Sequence, residues 1–407
     1  MHIWQTNPFE NVVLTRGEGC IVWDDRGNSY LDLLAGCWCT VLGHGHPRLL
    51  AAIEEQAGKL IHTGPPFLSD EIHRASAKLA EILHSSLDRA VFLNTGSEAV
   101  ELALKMARAA TGADAIVIIE RSYYGATTYA LSLSEAGRDV TWLPRVGTAF
   151  RIPAPDCRKC PAGAQWPCGD FPCLDALRGL VHEKSNEVAA VIFEPVLANG
   201  GVIVPPVGYG ARLRELAAQM GALFIAEEVT TGMGRTGRWF GFEHEDIVPD
   251  ILVIGKAVGA GLPVAAVVTT EEVETRCAGK LTHVQSHQND AFSGSIVATV
   301  ISILQEEGLV ERVADLGDYL LTGLKELQSR HPSIVDVRGR GLMLGIELDQ
   351  DHSRKGAEVG RQLLEAGFIV NYQPQNAAFR LFPPYVISKE QINEFLGAFD
   401  NALAMVS

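Results

Sequence analysis

The sequence predicts an α/β protein, with a large domain built on a mostly parallel sheet and a smaller α+β domain after it. Three observations lead there. The runs AVFLN (90–94), AIVII (115–119), AAVIFEP (189–195), ALFIAEEV (222–229), ILVIGK (251–256) and VAAVVTT (264–270) are short and apolar, the mark of strands buried on both faces. Helix-length amphipathic segments separate most of them, as in a wound α/β sheet. From about Gln288 the pattern changes to long helices, then SIVDVRGRGLMLGIEL (333–348), another helix and FRLFPP (379–384).

In chain order, the first 45 residues read as short strands and turns. Ile21 to Leu34 is expected to be a hairpin turning at Asp-Arg-Gly-Asn. From Pro47 a helix is expected, with Leu49, Leu50, Ile53 and Leu60 on one face. The Pro- and Cys-rich stretch 151–173 reads as a loop. Residues 1–45 are expected to pack with the small domain, 46–287 to form the large domain and 288–407 the small one. At roughly 150 residues per domain, 407 residues have room for this plan.

Composition narrows the function. Apolar residues make up 47% and charged residues 20%, which excludes disordered and coiled-coil classes. The 34 basic against 49 acidic side chains leave a net charge of −15, which repels nucleic acid and anionic membranes. No apolar run reaches the ~18 residues of a membrane span, and the first residues lack the plan of a signal peptide. A cytoplasmic location is the expectation, and eight cysteines are too few for a disulfide scaffold.

Lys256 closes the run DILVIGK and precedes AVGAGLP. An ammonium there loses hydration, and a desolvated amine is the nucleophile that carbonyl chemistry needs; taken alone, a solvent-reaching strand-end lysine is the simpler reading. Thr95, Gly96 and Ser97 follow a strand and open a helix, where free N–H groups attract an anion. Plain capping, with Ser97 and Glu98 in the first turn, explains the same residues. Gly232 to Gly237 is a literal G-x-G-x-x-G, but 238–250 does not read as the helix a dinucleotide site must open. Glu227 and Glu228 close a strand, and alternation sends one to each face.

Together these segments resemble the class III (ω-type) aminotransferases, pyridoxal 5'-phosphate (PLP) enzymes of fold type I, the aspartate aminotransferase-like fold. The motifs span nearly the whole chain: YLDLLAG (30–36), LGHGHP (42–47), NTGSEAVELA (94–103), SYYGAT (122–127), FEP (193–195), EEVTTGMGRTG (227–237), the Lys256 segment, VRGRGLMLGIEL and FRLFPP. The resemblance implies that Lys256 forms a Schiff base with the cofactor and shuttles the substrate proton. It implies that Gly96 and Ser97, with Thr95 as a lesser contributor, bind the phosphate and that Tyr123 stacks on the pyridine ring. Arg380 matches the arginine that grips the substrate carboxylate, for which a bidentate guanidinium is suited. HVQSHQNDAFSG (283–294) is similar to the variant of the dialkylglycine decarboxylase branch, where the residue at Ser286 reaches the phosphate of the other subunit. That implies a homodimer with shared sites, or a larger assembly.

Two positions depart from the family pattern. Glu227 stands where an aspartate usually pairs with the pyridine nitrogen, and Thr230 where a glutamine usually bonds the phenolic oxygen. Trp38, between Cys37 and Cys39, falls where relatives line the substrate side, and equally suits a buried contact. Cys157, Cys160, Cys168 and Cys173 follow C-x2-C-x7-C-x4-C, read either as reduced thiols under a loop or as a zinc staple. The implied reaction is ping-pong transamination between an amino donor and a 2-oxo acid. A decarboxylating transaminase and an amino-acid racemase or epimerase use the same machinery. A catalytically silent zinc-loop binding protein is the reading from outside the class.

Overall fold

A computed structural model describes residues 12–144, 146–160, 163, 168–349 and 353–406. Strands β1 (Leu14–Glu18), β2 (Ile21–Asp24) and β3 (Ser29–Asp32) form an antiparallel sheet, with the expected hairpin between β2 and β3. The Asp24 carboxylate closes its turn by accepting the N–H groups of Arg26 and Asn28 at 3.0 and 2.8 Å.

The large sheet holds β4 (Arg89–Leu93), β5 (Ala115–Ile119), β6 (Ala149–Ile152), β7 (Val188–Phe193), β8 (Leu223–Glu228), β9 (Ile251–Ile254) and β10 (Ala265–Thr269). Their order is β4-β10-β9-β8-β7-β5-β6. Strand β10 runs antiparallel to both neighbours and the other pairings are parallel. Every residue of β5, β7, β8, β9 and β10 is buried, which is why these runs read as apolar without alternation. The loop expected from residue 151 begins later, because Arg151 and Ile152 end β6. This edge strand is four residues long and mostly unburied, so its pattern carries too little signal.

The last part of the chain contributes β11 (Ile334–Arg340), β12 (Met343–Leu348), β13 (Phe368–Ile369), β14 (Asn371–Gln373) and β15 (Ala378–Leu381). Strands β11, β12, β15 and β14 form an antiparallel sheet in that order, while β13 joins β3 in parallel. The single segment 333–348 is therefore a hairpin. It turns at Gly341, where φ is +53° and an added Cβ would lie 2.6 Å from the Arg235 carbonyl. The helix Ala291–Glu306 is buried over most of its surface and packs on helices Pro47–Lys59 and Asp70–Ile82. At that crossing an added Cβ on Gly294 would come within 2.8 Å of Glu71 backbone.

The glycine triplet Gly232, Gly234 and Gly237 opens no helix. It forms a turn that seats a fully buried Arg235 between the two halves of the chain. Arg235 donates to the carbonyls of Leu342 and Pro383 at 3.0 and 2.7 Å, and its guanidinium lies 4.7 Å from the Tyr385 ring centroid. The motif is a joint between sheets, and its glycines permit the close approach.

The helix Leu309–Arg330 meets this joint through Gly317, where an added Cβ would stand 2.3 Å from the Gly341 carbonyl oxygen. Gly317→Ala is therefore expected to destabilise the protein by about 1–3 kcal/mol through overpacking. The denaturant midpoint in chemical unfolding measures this.

Candidate active site

Consecutive parallel strands point their carboxyl ends to one edge of the sheet, where α/β proteins place their ligands. Here β7, β8 and β9 deliver Glu194, Glu227 and Lys256 to that edge. Phe193 pairs with Ala226, so Glu194 and Glu227 stand side by side, and Glu227 pairs with Val253. A cavity of about 360 Å³ opens there, lined among others by Thr95, Gly96, Ser97, Tyr123, Glu227, Thr230 and Lys256. Seven of the residues singled out in the sequence thus share one wall.

Lys256 has φ +44°, a left-handed conformation unusual for lysine, and its Nζ donates to the Thr230 hydroxyl at 2.9 Å. The same ammonium lies 5.0 Å from the Trp38 ring centroid. Trp38 is presented by a left-handed turn, with φ +49° at Ala35, +54° at Gly36, +64° at Cys37 and +73° at Trp38. Such a conformation costs about 1–2 kcal/mol per residue that carries a Cβ. The Asp32 carboxylate holds the turn by accepting the N–H groups of Leu34, Ala35 and Gly36 at 2.9, 2.9 and 3.2 Å. Phe382 stacks on Trp38 at 4.4 Å, and the Arg380 guanidinium lies 4.7 Å from the Trp38 centroid.

Arg380 is buried on β15. Its Nε donates to Asn371 at 2.7 Å, and one terminal nitrogen reaches the Ala198 carbonyl and the Asn199 amide oxygen at 3.4 Å each. No ion pair joins it to a carboxylate among the described residues. Burial lowers its guanidinium to about 10.

The alternation read from the two glutamates holds. Glu227 lines the cavity, whereas Glu228 accepts the N–H groups of Gly241 and Phe242 at 2.9 and 2.7 Å and the Thr231 hydroxyl at 2.5 Å. Glu194, quoted only within FEP, is the residue that sequence reasoning left without a role. Its carboxylate accepts the Tyr123 N–H at 2.7 Å and the Ala198 N–H at 3.3 Å. Burial pushes Glu194 up to about 7, against the pull of those two N–H donors. Burial, then the Glu194 charge, holds Glu227 well above the usual carboxylate range.

The helix Gly96–Thr111 is capped two residues before Ser97. The Thr95 hydroxyl accepts the Glu98 N–H at 3.2 Å and donates to the Glu98 carboxylate at 3.1 Å. Thr95 is thus committed to a capping box. Ser97 instead accepts the Ala126 N–H at 3.0 Å. Gly96 and Ser97 are the first two residues of the helix, whose amides have no intrahelical acceptor. Two glycines keep this cradle open. An added Cβ would lie 2.9 Å from Val229 methyls at Gly96 and 2.6 Å from Ser97 Oγ at Gly125. Tyr123 is partly exposed on the wall. Ser286 is exposed on the 282–290 loop and is not part of this cavity's lining. In the Cys-rich loop, the Cys157 and Cys168 sulfurs stand 4.0 Å apart, and burial and neighbouring thiols push Cys157 up to about 12.

These residues suit PLP: a helix N-terminus for the phosphate, a reachable lysine amine for the aldehyde, and a buried acid for a pyridinium nitrogen. Fold and cavity together define a PLP-dependent enzyme of fold type I. The class III aminotransferase profile matches residues 4–403, and the chain belongs to that family. The acetylornithine aminotransferase of Methanopyrus kandleri is 36% identical over 96% of this chain and 94% of its own. An aminotransferase of Bacillus anthracis superposes with a TM-score of 0.92 at 30% identity, covering 99% of this chain and 96% of its own. A PLP-bound amine transaminase from an uncultivated Pseudomonas species gives 0.94 at 25% identity, with 100% and 99% covered. The chain is thus a PLP-dependent aminotransferase.

A raised glutamate favours the folded state only while it is protonated. Glu194 therefore contributes stability that is fully present below its ordinary value of 4.5 and is lost as pH rises through about 7. The melting temperature of the PLP-free protein should carry this fall between pH 4.5 and 7, and Glu194→Gln should flatten it.

Proposed function

We propose that this aminotransferase moves an amino group from an apolar or aromatic amino donor to a 2-oxo acid gripped by Arg380. The observation that carries the reading is the convergence of Lys256, Glu227 and a helix N-terminus on one cavity. PLP, once bound, supplies an electron sink for the charge left at the substrate Cα. Lys256 would hold the cofactor through its amine, and its free Nζ would take the Cα proton and return it. Thr230 accepts a hydrogen bond from the Lys256 amine and so orients it. Glu227 is the acid for the pyridine nitrogen. Its buried carboxylate feels the Glu194 charge, so one negative charge and one proton suit the pair better than two charges. Gly96 and Ser97 bind the phosphate, Thr95 holds the helix end, and Tyr123 covers the ring.

Donor choice follows from the substrate side. Trp38 and Phe382 make a stacked aromatic wall beside Arg380, and Cys39, Leu262 and Pro263 line the cavity. That wall offers no carboxylate to a second ammonium group. The acetylornithine aminotransferase name belongs to the relative, and the aromatic wall favours an uncharged side chain here. Exposed Ser286 suits a role at the phosphate of a second subunit, which makes a homodimer the working unit. No helix among the described residues is long and apolar enough to cross a membrane.

Lys256→Ala should lose the covalently held cofactor, seen as loss of its visible absorption after gel filtration, together with turnover. Full activity in that variant overturns the reading. Arg380→Met should raise KM for the 2-oxo acid by about ten- to a hundredfold, the scale of a lost charged hydrogen bond. KM for a donor amine without a carboxylate should change little. Equal losses for both would remove Arg380 from the carboxylate site.

A further inference from the structure

Outside the cavity, three metal-ligating side chains meet from segments 228 residues apart. Asp290 is buried and begins the helix Ala291–Glu306 without bonding its amides, so its carboxylate is free of capping duty. One oxygen accepts the Thr63 N–H at 3.3 Å. The other stands 2.9 Å from His62 Nδ1 and 3.2 Å from His287 Nδ1. The three ligand atoms lie within 4.8 Å of one another, and no other such trio of His, Cys, Asp or Glu occurs among the described residues. The four cysteines of the loop approach as a pair, Cys157 and Cys168, and do not close into such a set.

We propose that His62, His287 and Asp290 form a binding site for a divalent transition-metal ion of the zinc type. Two imidazoles and one carboxylate match the ligand preference of borderline ions and leave a coordination position for water. Without an ion, both rings turn Nδ1 toward one carboxylate oxygen, with ring centroids 4.5 Å apart. One ion accepts both nitrogen lone pairs and neutralises the buried carboxylate.

The site has a structural consequence beside the cofactor. His287 and Asp290 belong to a loop laid along the end of β4. Its Asn289 exchanges two hydrogen bonds with Phe92, N–H to carbonyl at 3.0 Å and side-chain oxygen from N–H at 2.9 Å. Gln285 reaches Asn94 at 3.4 Å, one residue before Thr95. An ion pinning this loop to His62 braces the strand end that leads into the phosphate cradle and fixes the segment carrying Ser286.

The test uses the PLP-loaded protein after chelator treatment, titrated with Zn²⁺ by calorimetry and with Co²⁺ by absorption. One equivalent per chain is expected, with visible Co²⁺ bands and no thiolate-to-cobalt charge transfer. Zn²⁺ should raise the melting temperature. His62→Ala and His287→Ala, both on exposed residues, should each weaken binding at least about tenfold and remove the thermal shift. Both should keep the PLP absorption band, and Cys157→Ser should bind as the parent does. Absence of saturable binding, binding unchanged in both histidine variants, or thiolate charge transfer lost in Cys157→Ser would each overturn the assignment.

Discussion

Glu194 and Glu227 are buried side by side at the ends of adjacent strands, and the rest of the site answers to that arrangement. Two carboxylates without water cannot both stay ionised cheaply, because desolvation and mutual repulsion act in the same direction. The protein eases the cost in two ways. Backbone N–H groups of Tyr123 and Ala198 bind Glu194 and fix the residues flanking the cavity. The Lys256 ammonium lowers both acids through space. What remains is a place for one more positive group at Glu227, which under the function proposed above a protonated pyridine nitrogen would fill, so that binding the cofactor would relieve the buried acids.

Strain is stored around the same point. Lys256 and the three Cβ-bearing residues of the Trp38 turn all adopt left-handed backbone. Non-glycine residues stay in that region only when surrounding contacts over-determine them. Asp32 supplies those contacts for the turn, while the Thr230 hydrogen bond and tight packing of Gly255 on Val229 supply them for the lysine. The outcome is a lysine amine held 5.0 Å from the Trp38 ring centroid.

The large sheet was legible in the sequence because burial on both faces erases alternation and leaves plain apolar runs. Edge strand β6 was not, since four residues in a partly exposed setting carry almost no pattern. Among the site residues, Lys256 stood out as a charge closing an apolar run, and Glu227 separated from Glu228 by strand alternation alone. Glu194 was hidden for a geometric reason. Its importance comes from lying opposite Glu227 in strand register, and register between parallel strands is not written in either strand. Ser97 and Glu98 fall in the first helical turn as the sequence suggests, and the residue that caps it is Thr95. His62, His287 and Asp290 carried no local signal, since they meet only after the chain has folded.

Arg380 shows how a site can be specific while holding little charge of its own. A buried guanidinium paired with a carboxylate of the same chain would be neutralised, and a substrate would have to break that pair first. Here the partners are the amide oxygens of Asn371 and Asn199 and the Ala198 carbonyl, which orient the fork without cancelling its charge. Burial already lowers the guanidinium to about 10, so its charge is held at some cost until an anion arrives. Trp38 covers its face and excludes water, which strengthens the attraction for a carboxylate. Under the role proposed for Arg380, a 2-oxo acid and an α-amino acid both bring that carboxylate, and the two half-reactions would share one anchor.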